Sequence, residues 1–318
     1  MLQCEAYSPI RHLASILWPP WVDRDKAIFA MLTFALDGGG DENSDYLTVA
    51  GFASSIKDWD KFSAAWKARL DRDGIEFFRA VDANSFRGPF QHWHEREDRV
   101  RLRQSLFADL MDLIQSHAYR KFACTIINKA FRNSNNEMRQ QFVESAYSLA
   151  ARTCEKFGRH WCWSEWKGCP NMEIAFVFEA GDPGQNQGKL QERLRRDYGH
   201  IPPIFRPKKD TFRGDGVLEH GFIPLQAADW LAWEINRVTR DADAGKLGAE
   251  SEMRWPMQQF MRKPIGPMGI YTAENFGLLD SMIELESKIV AWETQLGLNK
   301  NGVTLGGYDA NAKGKAAR

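Results

Sequence analysis

Asp37, Glu179 and Asp229 each stand where a strand end or a helix start would present a carboxylate at the rim of a sheet. Asp37 closes the apolar run in MLTFALDGGGDE, Glu179 closes IAFVFEAGD, and Asp229 lies in PLQAADWLAWE. Carboxylate oxygens are the ligands that hard cations such as Mg²⁺ and Mn²⁺ prefer, and two such ions about 3.5 to 4 Å apart can clamp the attacking and leaving oxygens of a phosphodiester. If the three acids converge, the expected chemistry is metal-dependent phosphoryl transfer with one or two ions. Each acid also has a plainer reading. Asp37 can initiate the turn through Gly38, Gly39 and Gly40, Glu179 can cap a strand end, and Asp229 can complement a helix dipole.

Asp229 carries more information than the other two. It sits among Ala, Trp and Leu, so its carboxylate needs water, a cation or a hydrogen-bond donor to offset desolvation. Gln226 stands three residues earlier on the same helix face. Asp41 and Asp182 follow closely behind the first two acids and are candidate additional metal ligands.

Candidate substrate contacts lie between residues 189 and 213. Lys189, Arg193, Arg195, Arg196, Arg206, Lys208, Lys209 and Arg213 there face three acids, Glu192, Asp197 and Asp210. This local positive excess suits a phosphate backbone, although a solvated helix face and a basic loop have the same composition. Lys208 is expected to stabilise charge developing in a phosphoryl transition state. Trp161, Trp163 and Trp166 offer stacking surfaces for unpaired bases or a packing surface toward the body or a partner. His92 and His94 read as surface or core histidines. Cys154, His160, Cys162 and Cys169 raise zinc, but the chain has no CxxC pair, and free thiols are the simpler reading.

The elements that must position these residues follow from periodicity. Apolar runs predict strands over 28–36 and 46–53, read as a central hairpin, with further strands over 76–81, 122–128, 173–179 and 204–207. Apolar stripes at helical spacing predict helices over 57–70, 97–117, 136–157, 188–198, 225–240 and 273–296. Pro224 fits a first helical turn, where its missing N–H costs nothing. Residues 158–171 break the pattern and read as a Trp-rich inserted loop. The expected organisation is an irregular arm over 1–27, an α/β domain over 28–240, a helical extension over 241–298 and a disordered tail over 299–318. The alternation of strands and helices predicts a layered α/β fold with a mixed sheet flanked by helices, and ligands of such sheets collect at strand ends.

Composition bounds the function. Lys plus Arg equals Asp plus Glu at 42 each, so no global field draws the chain to nucleic acid, and such contact needs a local patch. No apolar run approaches the roughly 20 residues of a spanning helix, and Pro19 and Pro20 interrupt the apolar N-terminal stretch, so no membrane partner and a cytoplasmic location are expected. A homo-oligomer stays open. The chain has no GxSxG elbow and no GxxxxGK[ST] phosphate loop, which argues against a serine hydrolase and ATP-driven work.

The order LDGGGD, DYLTVAGFASSIKDWDKFSAAWKARL, FRAVD, PFQHW, FVFEAGD and LQAADWLAWE resembles the large bacterial family filed as domain of unknown function 3800. The resemblance covers about residues 28–240. It implies a ribonuclease H-like fold and a divalent-metal phosphodiesterase acting on DNA or RNA, with Mg²⁺ or Mn²⁺ held by Asp37, Glu179 and Asp229 and with Gln226 orienting Asp229 or the attacking water. Gly38 stands where family members usually carry a second acid, and Gly39 where they carry Ser. That departure also fits a nucleotide or nucleic-acid binding module of the same fold that has lost metal chemistry, and the Trp-rich segment fits a structural or regulatory subunit acting through it.

Overall fold

The computed structural model describes residues 31–40, 43–133, 145–165, 173–181, 203–246, 253–262 and 268–271. Strand β1 (Met31–Gly39) runs past the end of its apolar stretch and holds Asp37 inside the ladder, opposite Ala50 of the antiparallel β2 (Tyr46–Ser55). β3 (Arg120–Ile127) pairs antiparallel with β2. On the other side of β1, β4 (Glu173–Glu179) pairs parallel to it and β5 (Ile204–Arg206) parallel to β4. A small hairpin, β6 (Thr211–Phe212) and β7 (Leu218–Glu219), stands apart, and β8 (Met268–Tyr271) adds parallel to β3. The result is a six-stranded mixed sheet in the order β5-β4-β1-β2-β3-β8.

Helices cover both faces. α1 (Ile56–Arg72) begins at Ser55, whose hydroxyl accepts the Asp58 amide, and buries Trp59, Phe62, Trp66 and Leu70, the stripe expected from sequence. α2 (Ala80–Ser85), a 3-10 turn (Gly88–Trp93), α3 (Arg99–His117), α6 (Pro224–Asp243) and α7 (Trp255–Arg262) share one apolar core with α1. α4 (Asn128–Asn133) follows β3 directly, and α5 (Ala146–Glu165) covers the opposite face. Strand parity decides which residues meet which layer. Phe34 and Leu36 pack toward α5, while Ala35 packs toward α6, so Asp37 falls on the α6 side. Phe176 and Phe178 face α5 and Ala175 and Val177 face α6, which puts Glu179 on that side too.

Several expectations need correction. No strand forms over 76–81. The Phe78 and Ala80 amides are taken by side chains of α6 instead of a neighbouring strand, and α2 starts at Ala80. The Trp-rich segment is not a loop through its first half, because α5 continues to Glu165. Tyr147, Ala150, Ala151, Cys154, Gly158, Trp161 and Cys162 are buried along it at spacings of three and four, a helical stripe that bulky tryptophans disguise. Nor does the sheet end by residue 240, since β8 joins it at Met268–Tyr271. The arm over 1–27, the helices over 188–198 and 273–296 and the tail over 299–318 lie outside the described residues. Among the described residues no helix is long and apolar enough to cross a membrane.

Candidate functional site

Three segments distant in sequence bring their acids to one nitrogen. The Lys208 ammonium donates to Glu179 Oε2 at 2.8 Å, to Asp229 Oδ1 at 2.9 Å and to Asp37 Oδ2 at 3.3 Å. Lysine has three N–H donors, and each meets a different carboxylate. Asp37 is fully buried, and the side chains of Lys208, Asp229 and Glu179 are 12%, 13% and 16% exposed. Burial alone would drive the Lys208 ammonium to give up its proton, but attraction to Asp37, Asp229 and Glu179 and the hydrogen bond to Glu179 win, so its pKa is raised well above that of an ordinary lysine.

Local structure fixes each group. Asp37 Oδ1 accepts the Gly38 amide at 2.7 Å. Asp229 Oδ2 accepts the Ala80 amide at 2.7 Å, which ties the first turn of α2 to α6. Lys208 lies between β5 and the β6–β7 hairpin, in a loop anchored by the Phe222 amide on the Pro207 carbonyl and the Gly221 amide on Asp210. Gly221 is required there, because a Cβ at that position would stand 2.5 Å from the backbone of Lys209. Gly39 likewise lets α6 approach β1, with an added Cβ only 3.1 Å from the Ala232 carbonyl oxygen. Asn236 closes the same crossing by donating to the carbonyls of Gly39 and Tyr46 at 3.1 and 3.0 Å.

Gln226, which the resemblance assigns to orienting Asp229 or the attacking water, makes no hydrogen bond to Asp229 among the described residues. It is buried, accepts from Trp66 Nε1 and the Phe78 amide at 2.9 Å each, and donates to the Lys208 carbonyl at 2.8 Å. It therefore holds together α1, the segment leading to Ala80 and the Lys208 loop, the frame around the acids. Lys208 likewise acts as the common counter-ion of the acids and not as a free charge awaiting a phosphate.

The expected nucleic-acid contacts fare unevenly. Arg206 pairs with Glu219 at 3.0 Å, and Lys209 lies 4.2 Å above the Phe77 ring and 3.6 Å from Glu76. Arg213 pairs with Asp215 at 3.5 Å. Lys189, Arg193, Arg195, Arg196, Asp41, Glu42 and Asp182 lie outside the described residues. Trp161 is no stacking platform, because it is buried against Phe34 and Phe122. Trp163 and Trp166 side chains and Cys169 are outside the described set.

Cys154 and Cys162 are buried in the α5 core, where Cys154 Sγ donates to the Val49 carbonyl at 3.2 Å, while His160 is exposed. Burial pushes the Cys162 thiol up to about 12, so these residues pack as apolar groups. His92 and His94 are exposed.

Three carboxylates from three elements surround one positive charge, the Lys208 ammonium. Among the described residues, no group of three or more His, Cys, Asp or Glu side chains is arranged to hold a metal ion. The acids meet at the Lys208 ammonium, which separates them. The geometry thus shows a pocket that binds positive charge, filled by the chain's own lysine. No family model, curated protein or solved structure matches this chain.

Sequence missed the Ala80 amide, Gly221 and Asn236. The Gly in LEHGFIPLQ offered a signal as a glycine between a turn and a helix, but its partner, the Lys209 backbone, is not legible from neighbouring residues.

Proposed function

We propose that the chain is a divalent-metal-dependent phosphodiesterase acting on nucleic acid, with Asp37, Glu179 and Asp229 as the ligands of Mg²⁺ or Mn²⁺. One observation carries the reading: three acids from separate elements gather within 2.8 to 3.3 Å of a single positive nitrogen in a largely buried pocket. When bound, one or two such ions supply charge that offsets phosphate and lowers the pKa of water. Asp37, fixed by its strand and the Gly38 amide, offers a rigid oxygen. Asp229 is steered by Ala80 and Glu179 by the end of β4. Lys208, held protonated by the acids, would have to withdraw from their centre for an ion to bind there, and its charge would then be available to an anionic substrate.

A ribonuclease H-like fold is supported by the mixed sheet, whose antiparallel hairpin is extended by parallel strands, and by Asp37 near the end of β1 and Glu179 at the end of β4. Membership in the family named above rests on the LDGGGD and LQAADW segments.

A second reading has one observation in its favour. Lys208 spends all three donors on the acids, as in a self-contained polar cluster that holds loops together, and this suits a nucleic-acid binding module without metal chemistry. Cleavage of labelled single- and double-stranded DNA and RNA in Mg²⁺, Mn²⁺ or EDTA separates the two. The enzyme reading expects metal-dependent products that disappear in Asp37→Asn, Glu179→Gln and Asp229→Asn. Absence of cleavage in either metal, with oligonucleotide binding retained, selects the binding module.

A further inference from the structure

A second group of charges lies one helical turn from the acids. The carbonyl of Ala80, whose amide holds Asp229, accepts Asn84 Nδ2 at 2.7 Å. Four residues of helix rise about 6 Å, so Asn84 stands roughly that far along α2 from the acid cluster. Asn84 gathers two arginines: Arg103 donates to its carbonyl at 3.1 Å, and Arg254 donates to its side-chain oxygen at 2.6 Å.

Among the described residues, one carboxylate opposes this pair. Arg254 has the buried Glu234 at 3.2 Å. Among the described residues, Arg103 hydrogen-bonds no carboxylate and lies 5.0 Å over the Phe86 ring, with Arg99 on the same ring at 5.7 Å. Trp233, one turn beyond Asp229 on α6, carries Arg254 at 5.0 Å. Burial and the neighbouring Arg254 both press the Arg103 guanidinium toward losing its proton, the signature of positive charge held together against its own repulsion. Two half-buried guanidinium forks meeting at one point favour an oxyanion with several acceptor oxygens, and planar forks match phosphate. Phe86 and Trp233 beside them offer partly exposed ring surface for a base.

We propose that Arg103 and Arg254, bridged by Asn84 and flanked by Phe86 and Trp233, bind a phosphate of a single-stranded nucleic acid adjacent to the position presented to the acids. The assignment rests on the nucleic-acid reading of the acidic site but not on its metal chemistry. It adds substrate contacts on the α2–α3–α6 surface to those expected over 189–213.

The test is fluorescence anisotropy of a labelled single-stranded 12-mer, in DNA and RNA form, titrated with the full chain in EDTA at several salt concentrations. Arg103→Gln should weaken binding about tenfold and reduce the slope of log K against log salt by about 0.7 for the lost contact, while Arg103→Lys recovers part of the affinity. Arg101→Gln, an exposed neighbour on α3 paired with Asp98, is the control and should bind as the unaltered chain does. Equal affinity and slope in Arg103→Gln overturn the proposal. So does an oligonucleotide that competes no better than inorganic phosphate, which marks a small-anion site. Because the measurement is made in EDTA, a failure of metal-dependent cleavage leaves its outcome unchanged, and the two readings fail separately.

Discussion

Replacing Lys208 by Met removes the cation that all three acids share. Its nitrogen lies 2.8, 2.9 and 3.3 Å from the three oxygens. At an effective dielectric near 20 each contact represents about 5 kcal/mol of gross attraction, most of it offset by desolvation. Deleting one partner of a buried pair costs about 3–5 kcal/mol, because the charges left behind stay buried without compensation. The acids are at most 16% exposed, so solvent screening takes little off that figure. Urea denaturation in EDTA is the assay, and with a slope of about 3 kcal/mol per molar the midpoint should fall by about 1 to 1.7 M. Mn²⁺ at a hundred times its Kd should then return about 2.7 kcal/mol to the variant, whereas NaCl at matched ionic strength returns far less. Unchanged stability in EDTA would refute the claim that the ammonium holds the acids. Loss of stability that Mn²⁺ and NaCl restore equally would refute the claim that the pocket selects a compact cation.

Gln226→Leu keeps the volume but orphans the Trp66 indole N–H, the Phe78 amide and the Lys208 carbonyl. At about 1–3 kcal/mol per buried unpaired group the loss should reach at least about 3 kcal/mol by the same assay, and a loss below about 1 kcal/mol would show that Gln226 is not the frame. Lys121 is buried on β3 and donates to the Phe260 carbonyl near the end of α7, and burial pulls its pKa down from 10.5 to about 8. The unfolded chain keeps this proton to higher pH than the folded one, so the group's penalty is fully present below pH 8 and is relieved as pH rises from 8 toward 10.5. Lys121→Met should abolish this rise, worth about 3 kcal/mol, and a pH profile identical to that of the unaltered chain would contradict the assignment.

The acids themselves are legible because their signals are local. An apolar run ending in Asp37, another ending in Glu179, and an apolar helix face around Asp229 each announce a carboxylate forced toward an interior. Parity within β1 and β4 then places two of them on one side of the sheet. Roles that depend on distant partners were not legible. Residues 76–81 carry strand-like side chains, yet the Phe78 and Ala80 amides are claimed by Gln226 and Asp229, about 150 residues away in sequence. The 158–165 stretch reads as irregular because its tryptophans mask a helical stripe that becomes plain once Phe34 is seen against Gly158 and Trp161. β8 is four residues long and is specified by its pairing with β3, not by any pattern of its own. Lys208 was picked out by type and place, but its engagement with all three acids follows from the fold of its loop on Gly221.

Crystals of the chain soaked in Mn²⁺ and measured for anomalous scattering test the central claim most directly. The account predicts a peak at ligand distance, about 2.2 Å, from carboxylate oxygens of Asp37 and of Glu179 or Asp229, with the Lys208 nitrogen withdrawn from the point it now fills. Crystals showing no peak there, with Lys208 still bridging the three acids at high Mn²⁺, would contradict it.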